Sequence, residues 1–389
     1  MKIAVGAVLL GTLLASTAMA QTPLKLGFVT TLTGPNAAIG QDMRDAVELA
    51  LDHAGRKLGG RPITVIYEDD EQKPDIGQQK GQKLIGADKV DVIAGVIWSN
   101  VLLAMAKPIL ENGTFLISAN AGPSQLAGAQ CNPNFFSTSW NNDQTPMAMG
   151  EVLNRRGVKK VQLVTGNYAA GRDMAAGLKL TFKGEVAGED YTRWPDQLDF
   201  SAELAKIRST KPDAVWIFYP GAHGAQFLTQ YSQAGLMGQI PLYNSFTVDA
   251  ITLPLQKDLA LGVLGTQSWV WDLPNEANKK FVADFRQRHN RYPSYYAAQS
   301  YDAVALLDGA LKQTGGNTAN KDALRAALRK ADFKSVRGDF KFNNNQFPIQ
   351  NFYLQETVKD AAGNFTVRTL ETVYTAHQDP HHDKCPMKW

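Results

Sequence analysis

An excess of charge of one sign is missing from this 389-residue chain: 40 lysines and arginines stand against 37 aspartates and glutamates, a formal net charge of +3. A balanced surface argues against nucleic acid as a partner. Catalytic signatures are missing too. There is no G-x-S-x-G, no phosphate-binding G-x-x-x-x-G-K-[ST] and no H-E-x-x-H. The chain therefore offers no constellation for an enzyme and nothing that calls for a cofactor or a metal. Beyond the N-terminal stretch, no run is long and apolar enough to span a bilayer. Cysteine is scarce, at Cys131 and Cys385 alone.

What is present begins at the N-terminus. Lys2, the apolar run 3–14 and Ala18-Met19-Ala20 form a charged n-region, an h-region and an A-x-A site, the pattern of a secretory signal peptide (1–20) cleaved after Ala20. No cysteine follows that site to carry a lipid anchor. In an exported protein an even pair of cysteines predicts one disulfide, here joining the C-terminal tail to the loop before Phe135. The remaining length suits two domains or one large one.

Hydrophobic periodicity divides the chain into alternating strands and helices. Strands are expected at 24–29, 63–67, 90–96 and 115–118, with helices at about 36–54, 75–85 and 101–112 between them. Met43, Ala46, Val47, Ala50, Leu51 and Ala54 make one apolar stripe of the first helix. After a strand at 135–140 and a helix at about 145–156, the pattern restarts. Strands at 161–165, 185–193, 214–219 and 242–246 alternate with helices at 171–182, 200–209 and 223–234. Such alternation predicts an α/β chain with a second doubly wound sheet. From residue 263 the order changes to a strand (263–269), three helices (275–289, 295–312, 320–331) and the strands 340–342, 351–358 and 365–373, with Gly363-Asn364 as a hairpin turn. These late elements are too few for a third domain and are expected to complete the two lobes.

The stretch 90–120 carries the candidate site. Its two continuous apolar strands read as parallel-sheet strands covered on both faces. Polar residues sit where each strand ends: Ser99 and Asn100 after the first, Asn120 after the second. Small ligands bind beyond the carboxyl ends of such strands, so Ser99, Asn100, Asn120 and the amide of Ala121 are predicted to surround one crevice. Ser99 is equally suited to cap the following helix, which would still point its N-terminus at the crevice. Asn120 also suits a turn before Gly122-Pro123. The acidic run Glu68-Asp69-Asp70-Glu71 is read as a solvated loop rather than a metal site, because no histidine lies near it. The tail residues His377, Asp379, His381, His382, Asp383 and Cys385 are metal-ligand types, but their spacing is irregular and a disulfide competes for Cys385. His223 and Arg193 sit near strand ends of the second half, where pocket and surface are both open to them.

Taken in order, TTLTGP (30–35), IYEDDEQKPDIG (66–77), WSN (98–100), LISANAG (116–122) and YAAQSYDAVALL (296–307) give the chain a family likeness. It resembles the type I periplasmic solute-binding proteins of ABC importers, in the branch around the leucine/isoleucine/valine-binding protein, over residues 24–373. The resemblance implies two Rossmann-like lobes joined by three hinge crossings, near 140–142, 265–269 and 336–340. Lobe one would comprise 24–141 plus 270–337, lobe two 142–268 plus 338–373, with 374–389 as a tail. It further implies a monomeric periplasmic protein, no enzyme, that passes a small molecule to a membrane permease. In that branch the positions of Ser99-Asn100 and Asn120-Ala121 hold the ligand carboxylate, and those of Tyr168 and Tyr219 close over it. One departure matters. Amino-acid binders place an acidic residue after the strand matching 242–246, where this chain reads Asn244-Ser245-Phe246-Thr247. A desolvated ammonium without a counter-charge costs several kcal/mol, so the ligand is expected to lack one. Trp98, Tyr168, Tyr219, Phe246, Trp269 and Trp271 are candidate aromatic positions, Trp271 the one expected to miss the ligand. This pattern looks like the sub-branch that binds aromatic carboxylates such as benzoate. The alternatives are a binder of branched-chain amino acids or amides, and a ligand-sensing component of a signalling system.

Overall fold

Strands that are apolar along their whole length need cover on both faces, and the computed structural model, which describes residues 22–388, supplies it. The expected signal peptide lies outside the described residues. In chain order the first part comprises β1 (Leu24–Thr30), α1 (Ala37–His53), β2 (Lys57–Leu58), β3 (Arg61–Asp69), α2 (Pro74–Gly86), β4 (Val92–Gly95), α3 (Ser99–Glu111), β5 (Phe115–Ser118), α4 (Ser124–Ala127) and β6 (Phe135–Ser137). Its sheet has the order β2-β3-β1-β4-β5-β6, parallel except for the short β2–β3 pair. β4 and β5 are buried at every residue.

The second part continues with α5 (Gln144–Arg155), β7 (Lys160–Gly166), α6 (Ala169–Thr181), β8 (Glu185–Thr192), α7 (Ser201–Thr210), β9 (Ala214–Phe218), α8 (Ala222–Gln233), β10 (Leu242–Ser245), α9 (Leu253–Gln256) and β11 (Leu264–Gln267). Helices α10 (Glu276–His289), α11 (Tyr295–Gln313) and α12 (Lys321–Lys330) come next, then β12 (Lys341–Phe342), β13 (Pro348–Lys359) and β14 (Phe365–His377). The second sheet runs β12-β13-β11-β10-β9-β7-β8, with β14 paired to β13. Thus α10 and α11 return to pack on α1 of the first lobe, while β12–β14 extend the second sheet in antiparallel fashion. The chain passes between sheets at 138–143, 268–275 and 331–340.

Helix ends obey local chemistry. Asn275, Ser294 and Asn320 cap α10, α11 and α12 with their side-chain oxygens. The apolar face of α3 buries Val101, Leu102, Met105 and Ile109, each stabilising by roughly 1.5–3 kcal/mol when fully buried. Three expectations shift. The strand expected at 90–96 ends at Gly95, because Gly95 and Val96 turn into left-handed backbone (φ 111° and 69°). The strand expected at 135–140 stops at Ser137, where the chain leaves for the other lobe. The crossing expected at 265–269 begins only after Gln267, since β11 stays in the sheet until there. Cys131 and Cys385 are bonded, Cα–Cα 5.7 Å, across a sequence separation of 254 residues.

Candidate ligand-binding site

Both sheets aim the carboxyl ends of their strands at one slot between the lobes. Lobe one contributes Ile97, Trp98 and Ser99 after β4, and Asn120 and Ala121 after β5. Trp140 and Asn142 come from the first crossing and Tyr296 from α11. Lobe two contributes Tyr168, Ala170 and Met174 from the β7 end and α6, Phe218 and Pro220 from the β9 end, and Phe246 from the β10 end. Among the described residues, no acidic, basic or histidine side chain lines the slot. It is thin, about 20 Å³, room for little more than one water. The lobes are closed on it: Asn36 Oδ1 of lobe one accepts from the Ala222 amide of lobe two at 3.1 Å, and Tyr295 Oη donates to the Phe246 carbonyl at 3.4 Å.

Two backbone kinks create the slot's mouthparts. Val96 is β-branched yet left-handed, a conformation costing of order 1–3 kcal/mol that persists only where surroundings impose it. Its amide donates to the Val29 carbonyl (2.7 Å) and its carbonyl accepts from Ala121 (3.1 Å). The kink lifts 97–99 out of the sheet. On lobe two, Phe246 has φ 60°, and the amides of Thr247 and Val248 both donate to Asn244 Oδ1 at 3.1 Å.

The polar end belongs mostly to lobe one. Ser99 is the first residue of α3, whose cap position is Trp98 and has no side-chain cap. The first-turn N–H groups of a helix have no intrahelical partner, and the slot lies at this helix start, where Ser99 lines it beside the positive end of the helix dipole. Ser99 Oγ accepts from Asn142 Nδ2 at 3.1 Å. Asn120 Nδ2 donates to the Ile97 carbonyl at 2.7 Å, which leaves its Oδ1 buried without a partner. The Trp140 indole Nε1 is likewise buried without a partner. Two expectations fail here. The Ala121 amide is committed to Val96, so Ala121 lines the slot without offering that donor. Asn100 lies on the first turn of α3 but is not part of the lining.

The other walls are rings. Tyr168 stacks on Trp194 (4.8 Å, 11°) and on Phe218 (6.1 Å, 19°). Trp140 stacks on Phe246 (4.2 Å, 22°). Burial pushes the Tyr168 phenol well above its ordinary range, with the Asp173 charge adding to it, so it stays a neutral donor. Trp98 is anchored from behind: its Nε1 donates to Thr31 Oγ1 (2.7 Å), and Thr31 donates to Asp70 Oδ1 (2.6 Å). The acidic run is therefore only partly a solvated loop: Glu71 is exposed, but Glu68 and Asp70 are not. Asp70 is fully buried, its carboxyl pushed up to about 6 by burial, and Glu68 pairs with Lys80 and Lys83 at 2.9 and 2.5 Å.

Three expected contacts, Tyr219, Thr247 and Trp269, lie elsewhere, and Trp271, expected to miss the ligand, is outside the slot too. Tyr219 faces the outer core of lobe two, its hydroxyl on Thr192 Oγ1 (2.8 Å) and its ring against Phe200 and Phe227. Thr247 Oγ1 accepts from the Tyr219 amide (2.9 Å) and is turned away from the slot. Trp269 donates to Asn278 Oδ1 (2.8 Å) and packs on Phe281. Trp271 donates to the Val367 carbonyl (2.6 Å). Trp269 and Trp271 instead border a broad open groove of about 820 Å³, between the segment 290–295 and the β13–β14 turn. His223 sits one ring behind the slot, 4.5 Å from Trp194, its Nε2–H donating to the Pro195 carbonyl, and burial lowers its pKa. Arg193 is exposed. In the tail, His381 pairs with Asp143 (2.9 Å), and no group of three or more metal-ligand side chains occurs among the described residues.

Sequence reasoning missed Trp140, Asn142, Phe218 and Tyr296 as lining residues. Trp140 and Asn142 carried a signal, since they come after the end of β6 as Ser99 comes after β4. They are pinned by the close approach of Gly122, where any Cβ would lie 2.0 Å from the Trp140 carbonyl oxygen.

Known proteins share this two-lobed architecture. A family model described as periplasmic binding protein matches residues 23–363. The Leu/Ile/Val-binding protein homolog 6 of Brucella melitensis is 29% identical over 387 residues, covering 95% of this chain and 96% of that protein. A solute-binding protein of an ABC transporter from R. palustris, solved in complex with benzoate, is 35% identical with a TM-score of 0.88, over 94% of this chain and 100% of that one. Another, from Rhodopseudomonas palustris BisB5 in complex with 3,4-dihydroxybenzoic acid, is 30% identical with a TM-score of 0.86, over 92% and 99%. With its two lobes, its parallel sheets and this match along most of its length, the chain belongs to the periplasmic binding protein family.

Proposed function

We propose that this protein is the extracytoplasmic binding subunit of an ABC uptake system and that its ligand is a small aromatic carboxylate. The observation that carries the reading is the slot's lining, which combines rings with neutral donors and includes no charged side chain among the described residues. A ligand carboxylate would receive the Ser99 hydroxyl and the first-turn amides of α3, with the Trp140 indole nearby. Its ring would lie among Tyr168, Phe218, Phe246 and Trp140. An α-amino acid would bring an ammonium into a site without a carboxylate to meet it, which costs several kcal/mol. The relatives solved with benzoate and 3,4-dihydroxybenzoic acid support the aromatic reading.

In this reading the open protein takes the acid on lobe one, and lobe two closes over the ring by rotation about the three crossings. The ligand favours the closed form because only there do both walls touch it. The closed form is what the permease would recognise, and the protein would work as an exported monomer in the periplasm after loss of residues 1–20. Relatives named for leucine, isoleucine and valine keep a second reading open, an aliphatic amino-acid binder. Titration calorimetry with benzoate, 4-hydroxybenzoate, leucine and valine separates the two. Heats with the aromatic acids alone are expected; heats with leucine or valine and none with the acids would overturn the assignment.

A further inference from the structure

We propose that Asp173 is a positioning residue that turns Ser99 into a carboxylate donor, and does so only when the lobes are closed. The inference rests on the reading of the slot as an acid-binding site and concerns how that site is armed. Asp173 lies on α6 of lobe two, half-buried beside the slot and outside its lining. Its carboxylate accepts from the Ser124 amide (3.0 Å), from Ser124 Oγ (2.8 Å) and from Asn142 Nδ2 (3.0 Å). Ser124 opens α4 on lobe one. The same Asn142 Nδ2 donates to Ser99 Oγ at 3.1 Å.

The direction of these bonds is set by the charge. An ionised carboxylate only accepts. The Asn142 amide is therefore held with its NH2 group, not its carbonyl, toward Asp173, and the same nitrogen reaches Ser99. The Ser99 oxygen thus accepts a hydrogen bond from Asn142, and its own O–H is left to donate into the slot. With the amide reversed, Ser99 would donate to the Asn142 carbonyl and show the slot only lone pairs, which repel a carboxylate. A ligand acid is thus recognised by a neutral hydroxyl whose polarity is imposed by a half-buried charge one residue behind it.

The network also spans the lobe boundary. Ser99 and Ser124 belong to lobe one, Asp173 to lobe two, and Asn142 to the crossing between them. Whichever lobe Asn142 moves with on opening, one link from Asp173 to Ser99 breaks. Anion recognition is then weak in the open form and strengthened by closure, which gives the ligand's carboxylate its own preference for the closed state, separate from that of the ring.

The test is calorimetry with benzoate on the wild type, Asp173→Asn, Ser99→Ala and the double variant. Asp173→Asn keeps the shape but can donate to the Asn142 carbonyl and so permits the reversed amide. Each single substitution is expected to weaken benzoate binding by about tenfold or more, the loss of one hydrogen bond to a charged group. In the Ser99→Ala background, Asp173→Asn should add less than about twofold, because both act through one donor. Undiminished binding by Asp173→Asn overturns the proposal, and so does a full additive loss in the double variant, which would mark a structural defect. Should Asp173→Asn fail to fold, Asn142→Ala reads the same link with the same expected coupling to Ser99→Ala. Failure of the wild type to bind any aromatic acid overturns the acid-binding reading together with this one, whereas normal wild-type binding with uncoupled variants sinks this inference alone.

Discussion

The two walls of the slot differ in what they would offer a ligand. Lobe one presents Ser99, Asn120 and the uncapped N-terminus of α3. Lobe two presents Tyr168, Phe218 and Phe246, with Ala170, Met174 and Pro220 filling between them. Each wall starts from the same device, a strand end thrown into left-handed backbone, at Val96 on one side and Phe246 on the other. Beyond the kink the walls diverge: a helix starts on lobe one, while lobe two offers an aromatic side chain. On the proposed reading, a ligand's charge is held without any charged side chain at the contact. A helix N-terminus carries a partial positive charge and N–H groups with nowhere else to donate. A desolvated lysine or arginine is then unnecessary, and its desolvation cost is avoided. In the same reading the apolar wall disfavours a cationic group, which would find no partner there.

The contrast is broken most severely by giving lobe two a charge. Ala170 lines the slot at the start of α6, where an acidic residue suits the helix dipole and should be tolerated by the fold. Ala170→Asp places a carboxylate opposite the ligand's own, and like charges at an interface cost several kcal/mol. Binding of benzoate is expected to fall by more than about a hundredfold by calorimetry, with the ligand-free melting temperature little changed. Survival of benzoate binding within tenfold would mean that the ring does not lie against α6. The next largest effect falls on lobe one. Ser99→Ala removes one hydrogen bond to a charged group, worth about 1.5–3 kcal/mol, and the expected loss in benzoate affinity is about 10–100-fold. A smaller effect sharpens the ring side. Tyr168→Leu keeps apolar bulk and removes a ring flanked by Trp194 and Phe218. Aromatic pairing contributes about 0.5–1.5 kcal/mol beyond burial, so a weakening of about 2–10-fold is expected, with selectivity for aromatic over aliphatic acids reduced in parallel.

A smaller contrast lies in what could be read from the chain alone. Hydrophobic period and turn chemistry placed nearly every long element, since continuous apolar strands and one-sided helices leave few alternatives. The strand-end rule placed Ser99 and Asn120 at the slot, because that rule is about topology and needs no side-chain geometry; Phe246 came from the family likeness. Where one residue of register decided, reading failed. Phe218 and Tyr219 are neighbours on one strand end, so their side chains go to opposite faces, and only the pairing of β9 with its neighbours selects Phe218 for the slot. The Ala121 amide failed for another reason: whether a backbone N–H is free depends on a partner distant in conformation, here the kinked Val96. Trp194 lies in the segment between β8 and α7, which has no periodicity to betray a stacked ring. The cysteine pair, by contrast, was legible because two sulfurs admit one pairing; its loss in a Cys131→Ser, Cys385→Ser variant should cost about 2–5 kcal/mol of unfolding free energy.

Tyr219 provides the smallest expected effect and a direct test of the register argument. Its side chain is fully buried and its hydroxyl meets Thr192 Oγ1 at 2.8 Å, on the far side of β9 from the slot. Phe200 and Phe227 hold the ring at 5.1 and 5.5 Å. Tyr219→Phe keeps that packing and deletes one buried hydrogen bond. Thr192 retains a second acceptor, the Thr165 carbonyl at 3.4 Å, so no donor is stranded. Denaturant unfolding should therefore show a loss of about 0.5–1.5 kcal/mol, while benzoate affinity stays within about twofold of wild type, since the ring and the Phe218 face are untouched. A tenfold fall in affinity with unchanged stability would mean that β9 presents Tyr219, not Phe218, to the ligand, and the wall that lobe two brings to the closed slot would have to be rebuilt one residue along.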